Sequence, residues 1–312
     1  MSPTATRRKA TEPNAGADQR IEVLKTYKLY IGGAFPRSES GRSYEVTDSR
    51  GRFLANAAMG SRKDARDAVV AARGAFGKWA TATAYNRGQV LYRVAELMEG
   101  RRAQFAAEVA AAEGLTPARA DKVVSQSIDR WVWYAGWSDK LAQVLGGVNP
   151  VAGPYFNISA PEPTGVVAAL APQRSSLLGL VSVLAPIIVS GNTTVVLTSE
   201  HRPLPAVTLA EVLATSDVPA GVINLITGRT AEVAPWLASH QDVNAIDLAG
   251  AADADGLSWA DLERAAAENL KRVLRPAGND AQAVEPDWSR TPDLTRMKAY
   301  LETKTVWHPK GR

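Results

Sequence analysis

The sequence of 312 residues contains no cysteine and only three histidines, His201, His240 and His308. Without cysteine, this chain cannot form a disulfide, a thiolate metal site, an iron–sulfur cluster or a cysteine nucleophile. The histidines are scattered along the sequence and leave little material for a zinc site. We therefore predict no metal site in this chain.

An excess of one charge sign is also missing. The chain has 36 basic and 32 acidic residues, a net charge of +4, and four of the basic and two of the acidic residues lie in the first twenty positions. The other basic residues are interleaved with acidic ones, whereas proteins that bind nucleic acids usually cluster them in a stripe. This pattern disfavours nucleic acid as a partner.

Long apolar runs are missing as well. A membrane helix needs roughly 18 apolar residues, and the run at 177–189 is interrupted by Gly179, Ser182 and Pro186. Residues 1–20 are basic and small but lack the apolar core of a secretory signal, so we interpret them as a disordered arm. The sequence therefore predicts a cytoplasmic protein without a membrane partner.

The chain does contain enough apolar material for a sizeable core, since 46% of its residues are hydrophobic. Alternating residues and turn glycines at 27–60 predict short strands with a hairpin. Ser61 stands three residues before Asp64, a capping-box pattern that begins an amphipathic helix. Two further helices are predicted at about 86–112 and 118–145.

From about residue 160 the pattern alternates between strand and helix. Apolar or β-branched runs begin about 20–30 residues apart, which is the repeat length of βαβ units. Such continuous apolar strands predict a parallel sheet covered on both faces, here a doubly wound α/β unit over 160–275. The predicted strands are 166–170, 194–197, 222–226 and 245–248, and the predicted helices are 177–189, 206–215 and 231–239.

The glycine fingerprint of a dinucleotide-binding sheet is absent. That fingerprint, Gly-x-Gly-x-x-Gly, follows the first strand, but here Leu170 is followed by Ala-Pro-Gln-Arg and the next glycine is Gly179. Either the sheet binds a nucleotide in another way or it binds none.

Eight segments between about residues 27 and 273, taken together and in order, resemble the aldehyde dehydrogenase superfamily. They are YKLYIGGAF, SRKDARDAVVAARGAFGKWA, YAGWSDKL, EPTGVVAALAP, SGNTTVVL, LAEVL, VPAGVINLITG and NLKRV. The resemblance implies an α/β fold: a Rossmann-type parallel sheet with helices on both faces, an N-terminal helical layer and a C-terminal oligomerisation strand. It also implies a domain that binds NAD or NADP without the glycine fingerprint.

The chain departs from the family at the positions that the resemblance assigns to chemistry. Pro-Gln-Arg at 172–174 replaces Pro-Trp-Asn, so a cation stands where an amide would stabilise an oxyanion. Thr-Ser-Glu-His at 198–201 replaces Lys-Pro-x-Glu, whose Lys and Glu hold the adenosine ribose. Leu-Ala-Gly-Ala at 248–251 replaces Phe-Thr-Gly-Ser, whose Ser meets the pyrophosphate. The residues that remain as a vestigial cofactor site are Pro172, Thr198, Glu200 and Gly250.

Beyond residue 273 the resemblance to the catalytic part ends. The family continues into Leu-Glu-Leu-Gly-Gly-Lys, whose Glu is the general base, whereas 274–279 here is Leu-Arg-Pro-Ala-Gly-Asn, without a carboxylate. A polar, proline-containing linker at 277–292 replaces the domain that bears the nucleophilic cysteine. Residues 293–312 resemble the family's closing segment, a strand of an oligomerisation sheet. The residues predicted to mediate oligomerisation are Thr303, Lys304, Thr305, Val306 and Trp307.

The resulting division of the chain has five parts. They are a disordered arm at 1–20, strands and a helical layer at 21–160, an NAD-binding-like α/β domain at 161–276, the linker at 277–292 and an oligomerisation tail at 293–312.

Two groups of side chains allow two interpretations each. Arg174 is either a clamp for a ligand phosphate or an exposed arginine of a loop. Trp131, Trp133 and Trp137 form either an aromatic ligand box or anchors of a helical core.

Three functions remain open. The leading hypothesis is a non-catalytic subunit, a pseudoenzyme, that assembles with a full-length, active aldehyde dehydrogenase paralogue; a homo-oligomer is the other possible assembly. The second is an NAD(P)-binding sensor or regulator that uses Glu200 and Gly250. The third is an NAD(P)-dependent aldehyde oxidoreductase that is active only in complex with a partner chain, because the chemistry needs a thiol.

Overall fold

The computed structural model describes residues 25–278 and 283–311, so the predicted arm at 1–20 lies outside the described residues. The N-terminal part begins with a small sheet and continues as a layer of helices. Its strands, in the order β1-β3-β2, are β1 (Thr26–Tyr27), β2 (Ser43–Thr47) and β3 (Phe53–Ala58). Its helices are α1 (Arg62–Thr81), α2 (Ala84–Gly100), α3 (Arg102–Glu113), α4 (Pro117–Ala135) and α5 (Leu141–Leu145).

The predicted capping box at the start of α1 is confirmed. The Ser61 side chain accepts hydrogen bonds from the backbone N–H groups of Lys63 and Asp64, and Asp64 Oδ2 accepts one from Ser61 N at 2.8 Å. Asp64 Oδ2 also accepts a hydrogen bond from Ser38 Oγ at 2.8 Å. The cap therefore joins the helix to the loop before β2 as well as beginning the helix.

The prediction of single helices at 86–112 and 118–145 is wrong. The first divides at Arg101, which follows Gly100 and lies outside helical geometry with φ −114° and ψ 15°. The second ends at Gly136, where Trp137 N donates to Tyr134 O in a tight turn before α5. Both breaks fall at glycines, which weaken helices because they lose the most backbone freedom on folding.

The predicted parallel sheet is confirmed. Two strands of a separate sheet, β4 (Gly147–Asn149) and β5 (Tyr155–Pro163), precede it. The parallel strands are β6 (Val166–Leu170), β7 (Thr193–Leu197), β8 (Ile223–Ile226), β9 (Ala245–Asp247) and β10 (Arg272–Leu274). The helices between them are α6 (Leu178–Val189), α7 (Leu204–Leu213), α8 (Thr230–Ser239) and α9 (Trp259–Ala267).

The order β10-β9-β6-β7-β8 places a topological switch between β6 and β9. Helices α6 and α7 pack on one face of the sheet together with α2, α3 and α4, while α1, α8 and α9 pack on the other. Every residue of β6, β7, β8 and β9 is buried, as expected for strands covered on both faces. In doubly wound sheets, ligands bind in the crevice at the carboxyl ends of the strands beside such a switch.

The C-terminal part consists of a short helix, α10 (Thr295–Ala299), and a strand, β11 (Leu301–Pro309). The predicted tail strand is thus present. It pairs antiparallel with β5 over nine residues in a three-stranded sheet of order β11-β5-β4. Among the described residues, no helix is long and apolar enough to cross a bilayer.

The three tryptophans of the helical layer belong to its core. Trp131 is fully buried, and Trp133 and Trp137 pack partly buried against the same cluster, with their ring centroids 5.6 Å apart. The interpretation as core anchors therefore describes them better than a ligand box.

Candidate functional site

The four residues of the predicted vestigial site lie at the carboxyl edge of the parallel sheet. Pro172 follows β6, Thr198 and Glu200 follow β7, and Gly250 follows β9. Pro172, Thr198 and Gly250 are buried, and Glu200 is half-buried. The fold thus gathers them at one edge, although three of the four residues are covered by the protein itself.

The carboxylate of Glu200 is already engaged. Its Oε2 accepts a hydrogen bond from Thr230 N, the first residue of α8, at 3.0 Å, and its Oε1 pairs with the Arg229 guanidinium. An anion at a helix N-terminus is favourable because it complements the unpaired N–H groups there. Glu200 therefore caps α8 and pairs with Arg229 instead of facing a ligand hydroxyl.

Gly250 lies where two backbone segments touch. A Cβ atom at this position would come within 2.1 Å of Ala171 O and 2.6 Å of Leu170 O. The turn after β9 consequently rests directly on the end of β6. Only glycine fits at this contact, because any Cβ atom would overlap the backbone of β6 and the residue after it.

The loop after β6 is held by its own side chains. Gln173 is buried, donates from Nε2 to Ala171 O at 3.0 Å and accepts from Glu200 N at 2.9 Å. The Arg174 side chain is 71% exposed and pairs with Asp253. Of the two interpretations of Arg174, the exposed loop arginine agrees with this position.

Four backbone N–H groups along this edge already have anionic partners. In nucleotide-binding α/β folds, such groups at loop and helix starts hold a phosphate. Here four carboxylates of the chain accept their hydrogen bonds instead. The pairs are Arg174 N with Glu285 at 2.8 Å, Ser176 N with Glu113 at 2.7 Å, Thr230 N with Glu200 at 3.0 Å and Ala249 N with Asp247 at 3.0 Å.

Asp247 is a site residue that the sequence patterns missed. It is fully buried at the end of β9, where its Oδ2 accepts the Tyr300 hydroxyl at 2.6 Å and pairs with the Arg296 guanidinium. Burial raises the pKa of Tyr300 well above its ordinary value, and the Asp247 charge raises it further. An acidic residue within the otherwise apolar run at 245–248 was the available signal. The three side chains tie α10 to the parallel sheet.

A cavity of about 450 Å³ lies beside this cluster, between α4 and the segment at 286–296. The buried Arg130 reaches from α4 to Ser182 Oγ at 2.7 Å and to the carbonyl oxygens of Trp288 and Arg290 at 2.8 and 2.9 Å. Burial lowers the pKa of this guanidinium from its ordinary value. Arg130 therefore holds the segment before α10 against the helical layer.

These contacts do not fit the dinucleotide that the sheet order implies. At four N–H groups of the carboxyl edge, a glutamate or aspartate already occupies the place that a phosphate would take. A cofactor would have to displace the chain's own carboxylates. We therefore assign no chemical step to a nucleotide at this edge.

The sheet formed by β4, β5 and β11 is the second candidate site. The predicted oligomerisation residues all lie on β11, and Ser159 Oγ and Thr305 Oγ1 are 2.8 Å apart across the strand pair. Lys304 pairs with Glu162 on β5 at 3.1 Å. Large apolar side chains on this sheet are between 41 and 70% exposed: Val148, Tyr155, Phe156, Ile158, Val306 and Trp307.

The outer edge of β11 completes this surface. In the sheet order β11-β5-β4, β11 is the terminal strand, and within residues 25–278 and 283–311 no strand pairs with its other side. Of its nine residues, all but Leu301 are exposed. A long edge strand with exposed backbone groups is a ready template for pairing with another chain.

The sequence matches the family model described as the aldehyde dehydrogenase family over residues 35–301. An aldehyde dehydrogenase from Enchytraeus buchholzi is 31% identical over 283 residues, which cover 88% of this chain and 55% of that protein. The mitochondrial aldehyde dehydrogenase family 2 member B4 from Arabidopsis thaliana is 33% identical over 83% of this chain and 47% of that protein. The chain spans about half the length of these curated relatives.

Solved structures give the same result for the fold. The NAD+ complex of an aldehyde dehydrogenase from Bacillus cereus superposes with a TM-score of 0.73 at 26% identity, covering 80% of this chain and 50% of that one. HpcC from Thermus thermophilus gives a TM-score of 0.74 at 27% identity, with coverages of 80% and 47%. These findings confirm the resemblance and the α/β fold that the sequence predicted.

Proposed function

The chain belongs to the aldehyde dehydrogenase family, and on that premise we propose that it is a non-catalytic subunit that assembles with a full-length, active member of the family. The observation that carries this proposal is the exposed sheet of β4, β5 and β11. A nine-residue edge strand with Val306 and Trp307 half-exposed is costly for a chain that stays alone, because it invites unspecific pairing.

The parallel sheet supports the same proposal because it lacks groups that catalysis and cofactor binding need. These 312 residues contain no thiol, and the carboxylates of Glu285, Glu113, Glu200 and Asp247 take up the N–H groups at its carboxyl edge. Catalysis by an aldehyde dehydrogenase in such an assembly must therefore come from the other subunit.

A full-length family member is the partner that we favour over a second copy. A strand like β11 in such a partner would offer the same backbone pairing, so a mixed assembly needs no new kind of interface. A homo-oligomer of this chain would bury the same sheet but would contain no thiol at all. The interface would be a continuous sheet, with Val306 and Trp307 as its apolar anchors.

The test is co-expression of the chain with a full-length aldehyde dehydrogenase paralogue of its source organism, followed by native mass spectrometry. We expect a mixed assembly. Val306→Ser with Trp307→Ser should abolish it while leaving the free energy of unfolding within about 0.5 kcal/mol. The matched control is Val70→Ser with Tyr85→Ser, which removes an equally exposed valine and aromatic residue, 62 and 69% exposed, from α1 and α2.

Two results would contradict the proposal. One is a chain that runs only as a monomer or as a homo-oligomer beside the paralogue. The other is an equal loss of the mixed assembly in the sheet variant and in the control variant, because the interface would then not be the sheet.

A further inference from the structure

We propose that Glu285 and Trp288, which we call the plug, are an internal occupant of the switch-point crevice and exclude a dinucleotide from the parallel sheet. The plug lies in the segment between β10 and α10, close in space to the ends of β6 and β9. The proposal goes beyond assembly with a partner, since it concerns the opposite region of the molecule.

Glu285 supplies the anion. Its Oε1 accepts the hydrogen bond of Arg174 N at 2.8 Å, in the loop that leads from β6 into α6. Its Oε2 faces Trp288 Nε1 at 3.4 Å, so the two plug residues also contact each other. A carboxylate in this position matches the charge that a ligand phosphate would bring to the same N–H group.

Trp288 supplies the planar ring. Its side chain is 9% exposed and packs on Leu178 and Val183 of α6 and on Ala249 in the turn after β9. One contact therefore belongs to the element after β6 and the other to the element after β9, which are the two sides of the switch point. A ring that touches both sides occupies part of the space at the switch point, where a doubly wound sheet binds its ligand.

Two arginines hold the segment that carries the plug, one at the Trp288 ring and one at the Trp288 carbonyl oxygen. The Arg296 guanidinium lies 5.0 Å from the Trp288 ring centroid while it pairs with Asp247. Arg130 donates to the Trp288 carbonyl oxygen at 2.8 Å. A cation over an aromatic face and charge-assisted hydrogen bonds hold the segment where it is. The position of the plug is thus a property of the folded chain that needs no cofactor.

An engineered thiol tests the plug directly, because the chain has no cysteine of its own. Ala249→Cys places a single thiol against Trp288, and its rate of reaction with 5,5′-dithiobis(2-nitrobenzoate) reports access to the crevice. We expect Trp288→Ala and Glu285→Ala, each in this background, to raise the rate at least about tenfold, since labelling follows opening of the site. Trp307→Ala, which removes a tryptophan far from the crevice, should leave the rate unchanged.

Urea unfolding of each variant shows whether it is folded. If Trp288→Ala does not fold, Glu285→Ala carries the comparison, because Glu285 is only half-buried. Equal labelling rates with and without the plug would overturn the proposal.

Titration of the unmodified full chain with NADH and NADPH, followed by nucleotide fluorescence, is the second arm. We expect no saturable binding up to about 1 mM, and saturable binding of either nucleotide would overturn the proposal. Neither arm contains a partner chain, so the results are independent of whether the mixed assembly forms.

Discussion

Two of the three sheets described, the parallel sheet and the sheet of β4, β5 and β11, differ in how their polar edges and apolar side chains are covered. In the parallel sheet, every residue of four strands is buried and the chain's own carboxylates accept the N–H groups at the carboxyl edge. In the sheet of β4, β5 and β11, eight of the nine residues of β11 are exposed and one side of that strand pairs with nothing in the described parts of the chain.

This difference is the basis for the proposed partner site on the sheet of β4, β5 and β11. Buried polar groups in proteins are nearly always paired, and four backbone N–H groups at the edge of the parallel sheet have carboxylates of the chain as partners. In the sheet of β4, β5 and β11, the outer backbone groups of β11 have no strand partner among the described residues, and several large apolar side chains are exposed. Substitutions of the same chemical type should therefore have unequal effects in the two regions.

Removing a cation should give the largest difference between the two sheets in the free energy of unfolding. Arg296→Met leaves the fully buried Asp247 without its countercharge, which should lower the free energy of unfolding by about 3–5 kcal/mol. Lys304→Met breaks the exposed pair with Glu162 and should cost less than about 1 kcal/mol. Urea unfolding of both variants measures the difference.

A double variant serves as the control for this first prediction. Asp247→Asn with Arg296→Met removes both charges and should restore most of the loss, because no unpaired charge stays buried. A cost below about 1 kcal/mol for Arg296→Met alone would argue against a closed parallel sheet.

The two tryptophans form a second matched pair. Trp288→Ala removes a ring that is 9% exposed and should lower the free energy of unfolding by about 3 kcal/mol. Trp307→Ala removes a ring that is 58% exposed and should change it by less than about 0.5 kcal/mol. Similar losses of free energy of unfolding in the two variants, measured by thermal or urea unfolding, would contradict the predicted difference between the two regions.

Substitution of Gly250 at the carboxyl edge of the parallel sheet should have a smaller effect on the free energy of unfolding. Gly250→Ala forces a Cβ against Ala171 O and should destabilise the chain by about 1–3 kcal/mol. Gly77→Ala on the exposed face of α1 meets nothing within 4 Å and should stabilise by about 0.5–1 kcal/mol. A Gly250→Ala protein as stable as the unmodified chain would mean that the turn after β9 does not rest on β6.

The smallest expected effect is a pH dependence at Glu113. Burial raises the pKa of its carboxyl above the ordinary value of 4.5, although it accepts hydrogen bonds from Ser176. A raised pKa in the folded state stabilises the fold fully below the ordinary pKa, and this contribution is lost as pH rises through the raised value. Glu113→Gln should therefore gain stability relative to the unmodified chain as pH rises from about 4 to about 7. Parallel stability curves for the two proteins would refute this.

Local patterns predicted most of the elements of the parallel sheet. The runs at 166–170 and 194–197 became β6 and β7, and Ser61 with Asp64 began α1 as a capping box does. The predictions failed at Arg101, directly after Gly100, and at Gly136, where the helical pattern of the sequence continues but the helix ends. Apolar periodicity gives the face of a helix and says less about where the helix is interrupted.

The partners of the site residues were outside the reach of such patterns. Glu113 contacts a residue 63 positions away and Glu285 one that is 111 positions away. Neither carboxylate stands in a motif, and an acidic residue in a helix or a loop usually faces water. Only Asp247, inside an apolar strand, left a local trace.

By itself, the sequence determined the family, the parallel sheet, the tail strand and the absence of a thiol, since each depends on residue types and spacings along the chain. The tertiary structure decided that Glu285 and Trp288 lie against the loops after β6 and β9 and that β11 remains exposed. The physical reason is that a buried N–H group takes whichever acceptor the fold brings within about 3 Å, and distance in space is not written in local sequence.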